Sequence, residues 1–229
     1  MTLRYAPGES FVNSKQRRVP VSLDAPVFTL THAMGFKGVL GGEYNFNRTE
    51  ASIWKRFWLP ASWGKIDCSV KAGAEWNTVP FPLLILPEAN LSYITQRETF
   101  CLINNMEFLN DRFASMSISY DMNGKLFNRI PLLKNLKWRE MFRVRALWGT
   151  LTDKNNPFKS SNPDLFRFPT RDGKFTSFVM DPKVPYVEAS VGIYNIFKLL
   201  HVEYVHRFTY RDNPGINKNG IRFMVLMVF

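Results

Sequence analysis

Long apolar runs are missing from this sequence. No window of its 229 residues approaches the ~20 consecutive apolar residues that a membrane helix needs, which excludes a helical membrane protein. The longest apolar stretches are Phe81 to Pro87, interrupted by Pro82, and Phe223 to Phe229. Cysteine is scarce, with only Cys68 and Cys101. Cys68 alternates in phase with Ile66, Val70 and Ala72, whereas Cys101 falls on the phase opposite Phe100, Leu102 and Phe108. On one sheet the two thiols point to different sides, so no disulfide is expected. Histidine is limited to His32, His201 and His206, without an HExxH motif or a Cys–His spacing suited to zinc. GxSxG, a phosphate-binding glycine loop and a dinucleotide fingerprint are also missing. The expectation is a chain with no enzymatic activity, no metal and no cofactor. Helical periodicity is nearly absent; only PLLKNLK (131–137) suggests a turn or two. The opening MTLRYAPGES lacks the charged leader and apolar stretch of a secretory signal.

Acidic residues are outnumbered, 19 against 30 basic, for a net charge of +11. Such a balance permits nucleic-acid binding. The basic residues are scattered, however, and the only tight cluster is Lys15, Arg17 and Arg18. Loops facing lipid phosphates are an equally good home for this charge, so no nucleic-acid partner is expected. Gly35, Gly38, Gly41 and Gly42 cluster at a strand end and read as a turn.

What is abundant is aromatic residues, at 15%, and period-two alternation. Candidate strands cover 27–36, 43–59, 64–77, 100–109, 112–122, 139–149, 185–195, 200–210 and 220–229, with Leu3 to Tyr5 the end of an earlier one. Phe142, Val144, Ala146 and Trp148 oppose Arg143 and Arg145; Met116, Ile118 and Tyr120 oppose Ser115, Ser117 and Ser119. Val202, Tyr204, Phe208 and Tyr210 oppose Glu203, Arg207 and Thr209. One face is apolar and the other carries charge in mid-strand. A soluble sheet with one wet face alternates in the same way. Strands near the ~9–11 residues of a tilted membrane strand, and aromatics near strand ends such as Trp58, Trp63, Trp76 and Trp148, favour a barrel in lipid. The final GIRFMVLMVF reads as a strand apolar on both faces that ends on an aromatic, Phe229.

If that last strand runs inward, the turn at Ile196 to Leu199 is periplasmic and 151–184 is a long extracellular loop. Asn110-Asp111 then reads as a tight outer hairpin. Thr78 to Thr99 falls on the periplasmic side. With Pro80, Pro82, Pro87 and the apolar PLLIL run, it is expected to fold inward, into the lumen or against the barrel floor.

VPFPLL (79–84), NNMEFLNDRFAS (104–115), NRIPLLKNLKWRE (128–140), LTDKNNP (151–157) and PYVEASVGIYNIFKLLHVEYVHRFTYRDNPG (185–215) resemble the outer-membrane barrel of a family of uncharacterised bacterial proteins. Those proteins carry an N-terminal carboxypeptidase-regulatory-like domain. DAPVFTLTHAMGFKGVLG (24–41) and WKRFW (54–58) look similar too. The last five strands are more distantly similar to the BamA and TamA class of surface-antigen barrels, without an Arg-Gly-Phe lid motif. The resemblance implies that residues 1–229 are the C-terminal portion of a larger barrel, with about nine or ten strands here.

The expected fold is therefore all-β, a partial antiparallel transmembrane β-barrel in the outer membrane. Its partners are expected to be outer-membrane lipids, the barrel assembly machinery during insertion and other envelope proteins. Phe229 is the expected assembly signal. The lumen-phase charges Lys71, Glu75, Glu107, Asp121, Arg143, Arg145, Glu188, Glu203 and Arg207 are the candidate functional residues. Charges of both signs can pair across strands and stiffen the barrel, or line a water-filled pore; pairing is the default. The expected role is envelope transport or surface assembly. The alternative is a soluble antiparallel β-sheet binding module for an apolar ligand.

Overall fold

Alternating apolar and polar residues direct nine segments of this chain into one antiparallel meander. The computed structural model describes residues 1–225 other than 14, 97, 158, 160–164, 166–169 and 172. Nine strands pair in chain order: β1 (Thr2–Tyr5), β2 (Val27–Gly35), β3 (Phe46–Trp58), β4 (Lys65–Glu75), β5 (Arg112–Asp121), β6 (Arg139–Thr150), β7 (Tyr186–Ile196), β8 (Leu200–Arg207) and β9 (Asn219–Val225). Small ribbons pair Phe11–Asn13 with Arg18–Pro20, and Thr170–Arg171 with Lys174–Phe175. The single α-helix among the described residues, Pro131–Leu136, starts on a proline and stops at Lys137 in the left-handed conformation. It is too short to cross a membrane. The sheet is open: β1 and β9 are its edges, and no closed barrel forms among the described residues.

Gly64 fixes one hairpin. It sits at φ +90° between β3 and β4, where an added Cβ would lie 1.8 Å from the Asp121 carbonyl oxygen. In the turn joining β7 to β8, Asn195, Phe197 and Lys198 all take positive φ, next to a register shift between Ile193 and Ile196. Gly38 and Gly41 adopt positive φ in the turn between β2 and β3.

The expected strand at 100–109 does not form. Phe100, Cys101, Leu102, Ile103, Phe108, Leu109 and Asn110 are all buried, on both phases, and only the turn around Asn105 is exposed. This stretch belongs to a longer segment, 76–111, that lies across one face of the sheet. Two consequences correct the sequence reading. Asn110-Asp111 is not an outer hairpin, because both residues are fully buried. Removing one strand from the count also reverses the end occupied by every connection N-terminal to it. The 76–111 segment therefore emerges beside the 151–185 connection, not opposite it. The strand expected at 200–210 ends at Arg207; Tyr210 turns away at φ 51° and packs its ring 5.1 Å from Phe108. Phe229 lies outside the described residues.

The other face of the sheet is uncovered and apolar. Tyr5, Phe28, Ile53, Val70, Met116, Ala146 and Val187 stand side by side across β1 to β7. A second row runs Phe57, Ile66, Tyr120, Phe142, Val191, Tyr204, Ile221 across β3 to β9. Within the strands, the carboxylates and ammonium or guanidinium groups of this face are Lys55, Arg112 and Glu140, all near strand ends.

Segment 76–111 supplies the core against the covered face. Phe100, Ile103 and Phe108 pack with Leu147, Met180 and Tyr186. Val79, Leu84 and Leu109 pack with Leu151, and Cys101 and Leu102 pack with Val205. Each fully buried large apolar side chain contributes ~1.5–3 kcal/mol. Beyond the strands, the backbone of Tyr93 and Thr95 bonds to Phe223 at 2.7 and 2.6 Å, so the same segment reaches the edge of β9.

Candidate functional site

Arg145, Glu188 and Arg207 occupy neighbouring register positions on β6, β7 and β8, because each sits on the covered phase of its strand. Alternation put the charges there; segment 76–111 takes them out of water. An unpaired buried charge is very costly, so such a face must be neutralised in place. Arg145 donates to Glu188 at 3.0 Å, and Arg143 grips both oxygens of Glu203 at 2.9 and 3.1 Å. Ser190 and His201 also bond Glu203, at 2.5 and 3.1 Å. Arg207, fully buried, donates to Glu107 at 2.5 and 3.0 Å and to the carbonyls of Leu102, Thr209 and Tyr210.

This network holds the backbone of segment 76–111. The N–H groups of Cys101 and Leu102 donate to the two oxygens of Glu188 at 2.9 and 3.1 Å. The Cys101 carbonyl accepts from Arg222 of β9, and the Leu102 carbonyl accepts from Arg207 at 3.2 Å. Both residues thus lack a strand ladder and satisfy their backbone on side chains of β7, β8 and β9, as buried peptide groups must. Tyr186 completes the Glu188 carboxylate at 2.9 Å, and the Arg207 guanidinium lies 4.8 Å from its ring centre. Burial pushes the Cys101 thiol above its ordinary pKa, so it stays protonated at neutral pH.

A second knot ties both ends of the segment to the 151–157 stretch. The Asp111 carboxylate accepts from the Thr152 N–H at 3.1 Å, from the Thr152 hydroxyl, and from the Asn155 amide at 3.0 Å. Asn155 in turn accepts from the Val79 N–H at 2.8 Å and donates to the Asn77 carbonyl at 3.2 Å. Gly149 lets Asn110 approach closely: a Cβ there would meet the Asn110 side-chain oxygen at 2.2 Å. VPFPLL, NNMEFLNDRFAS and LTDKNNP, far apart in sequence, therefore meet in space.

Six of the nine candidate charges (Glu107, Arg143, Arg145, Glu188, Glu203 and Arg207) form this one seat. Glu107 is there for a different reason than alternation gave, since it comes from the covering segment and not from a strand. Lys71 lies at the rim, 3.0 Å from Glu88 and 2.7 Å from Glu98. Glu75 is buried at the end of β4, where it accepts from the Asn47 and Asn77 backbones at 2.9 and 3.2 Å. Asp121 lies apart, bonded by Tyr194 and 3.8 Å from Lys65. Sequence reasoning missed Arg222, Asp111 and Asn155. The signal for Arg222 was its phase: it faces Glu203 across the β8–β9 pair, so the last strand is not apolar on both sides. Asp111 and Asn155 gave no signal beyond turn-like composition. Among the described residues, no group of three or more His, Cys, Asp or Glu is placed to hold a metal ion.

The other half of the covered face is open. A cavity of about 630 Å³ lies there, lined by Trp54, Met141, Met224, Arg139 and Lys198 among others.

A family model for the C-terminal domain of a family of unknown function, DUF5686, matches residues 1–158. That span holds all of segment 76–111 and the Asp111–Asn155 knot, and stops before Glu188, Glu203 and Arg207. No curated protein and no solved structure matches the chain. Over the greater part of its length, then, this chain belongs to the DUF5686 family through that family's C-terminal domain.

Proposed function

We propose that the chain is part of a non-enzymatic outer-membrane β-barrel with a role in envelope transport or surface assembly, and that segment 76–111 is its inward-folded plug. The observation that carries this reading is the uncovered face. Rows of apolar side chains run across seven strands with nothing over them. Exposed apolar patches on water-soluble monomers seldom exceed a few hundred Å². Lipid is the solvent that such a face fits, and strands are the elements that cross it without helices. The ion-paired seat fits the same reading, because interior charges of both signs close a lumen better than they line a conducting path. Outer-membrane lipids and the barrel assembly machinery are the partners this role requires, with Phe229 as the assembly signal; other envelope proteins are its cargo or clients.

Membrane fractionation tests the proposal. The chain, expressed together with whatever its gene encodes upstream, is expected in the membrane fraction as a detergent-dependent β protein whose electrophoretic mobility changes on boiling. Deleting Phe229 should lower the yield of that heat-modifiable form. A monodisperse β protein that needs no detergent would overturn the membrane assignment.

A further inference from the structure

The cavity on the open half of the covered face has a composition that specifies a ligand class. Its apolar lining includes Trp54 from β3, Met141 from β6 and Met224 from β9. At about 630 Å³ it falls within the ~300–1,000 Å³ typical of small-molecule sites. The charges around it divide into two kinds. Arg56 is held by Asp67 at 2.6 Å, Lys65 lies 3.8 Å from Asp121, and Arg143 is held by Glu203. Arg139 and Lys198, both exposed, have no carboxylate within ion-pair distance among the described residues. Arg139 lies 5.9 Å over the Tyr194 ring, which orients it without neutralising it. Glu98, the remaining acid of the lining, is held by Lys71 at 2.7 Å. A mixed chamber with apolar walls at Trp54, Met141 and Met224, paired charges between them and two cations without a carboxylate partner at its edge is complementary to an alkyl chain with one anionic head.

We propose that this cavity binds a single-chain anionic amphiphile, with its chain against Trp54, Met141 and Met224 and its head group at Arg139 and Lys198. The site is independent of the membrane assignment, since a water-soluble chain would carry the same cavity. Failure of one therefore leaves the other standing.

Photolabelling tests it. The full chain, in a non-ionic detergent, is irradiated with diazirine-bearing hexadecanoate, hexadecyl phosphate or the uncharged hexadecanol of equal chain length, and the labelled residues are mapped by mass spectrometry. At least one anion should label Trp54, Met141 or Met224, and the one labelling more strongly identifies the head group as carboxylate or phosphate. Arg139→Gln combined with Lys198→Gln should reduce that labelling about tenfold, a decade being ~1.4 kcal/mol. Lys55→Gln, on the uncovered face, should leave it unchanged. Ser119→Phe fills the cavity while keeping both cations, and should also remove the label. Labelling confined to the uncovered face, equal labelling by the alcohol, or cavity labelling that survives the double substitution or Ser119→Phe would each overturn the proposal.

Discussion

On one face of the sheet, Tyr5, Phe28, Ile53, Val70 and Met116 stand in register with nothing over them; on the other, Arg145, Glu188 and Arg207 lie beneath residues 76–111. Ordinary soluble sheets show the reverse arrangement, with apolar residues covered and charges wet. Of the buried cations on the covered face, Arg222 is met by the Cys101 and Ile221 carbonyls and the others by carboxylates. Each of Arg143, Arg145 and Arg207 has a carboxylate partner, and Glu188 and Arg207 also accept or donate to the backbone of the segment that buries them. The covered face thus holds its segment by specific polar contacts, whereas the uncovered face presents a uniform surface with no partner built in. The first is a docking seat; the second matches a solvent.

The largest effect should come from breaking the seat. Arg207→Met leaves Glu107 buried without its guanidinium and is expected to cost ~3–5 kcal/mol in denaturant unfolding. Adding Glu107→Leu should recover part of that loss, because it removes the unpaired carboxylate, while the Leu102, Thr209 and Tyr210 carbonyls stay without their donor. A double variant no more stable than the single one would mean that the pair does not act as a unit.

Charging the other face separates the two readings of it. Val144→Arg, in mid-strand, should cost ~2–4 kcal/mol in a bilayer if that face meets lipid. In a water-exposed sheet the same change should stay within ~0.5 kcal/mol. Unfolding from reconstituted bilayers reads the difference.

A smaller loss is expected where the segment rejoins the sheet. Gly149→Val drives a side chain into Asn110, and overpacking of this kind costs ~1–3 kcal/mol. Protease nicking within 76–111 should rise in that variant and not in Val144→Ala.

The mildest probe is chemical. Cys101 is buried, whereas Cys68 lies part-exposed on the uncovered face. A small membrane-permeant alkylating agent at neutral pH should modify Cys68 first. Because the unfolded chain gives up the Cys101 proton before the folded one does, this group's contribution to stability fades as pH rises past the ordinary thiol range. Equal rates for both thiols at neutral pH would show the segment to be open.

The strands were largely legible in the sequence, since alternation in β5, β6 and β7 records the chemical difference between the faces. Five charges of the seat, Arg143, Arg145, Glu188, Glu203 and Arg207, were legible for the same reason, whereas Glu107 was reached through a strand that does not form. The segment at 100–109 was not legible. Phe100, Leu102 and Phe108 share a phase, which mimics a strand, but Cys101, Ile103 and Leu109 are buried as well. Period two reports sidedness, and a stretch buried on both phases has none. Asp111 was misread for a related reason: Asn-Asp pairs suit turns, and only the fold shows that Thr152 and Asn155 occupy its carboxylate. Arg222 was hidden by its apolar neighbours Ile221 and Phe223, which point the other way.

The most direct test of the inverted sheet is to ask what solvent touches Val144. A nitroxide attached to V144C in a Cys68→Ser background, with the chain in lipid bilayers, reports collision rates with oxygen and with a water-soluble nickel chelate. The account predicts strong relaxation by oxygen and little by nickel at Val144, and the same along its row at Ile118 and Ala189. Strong relaxation by nickel and little by oxygen would place that face in water and contradict it.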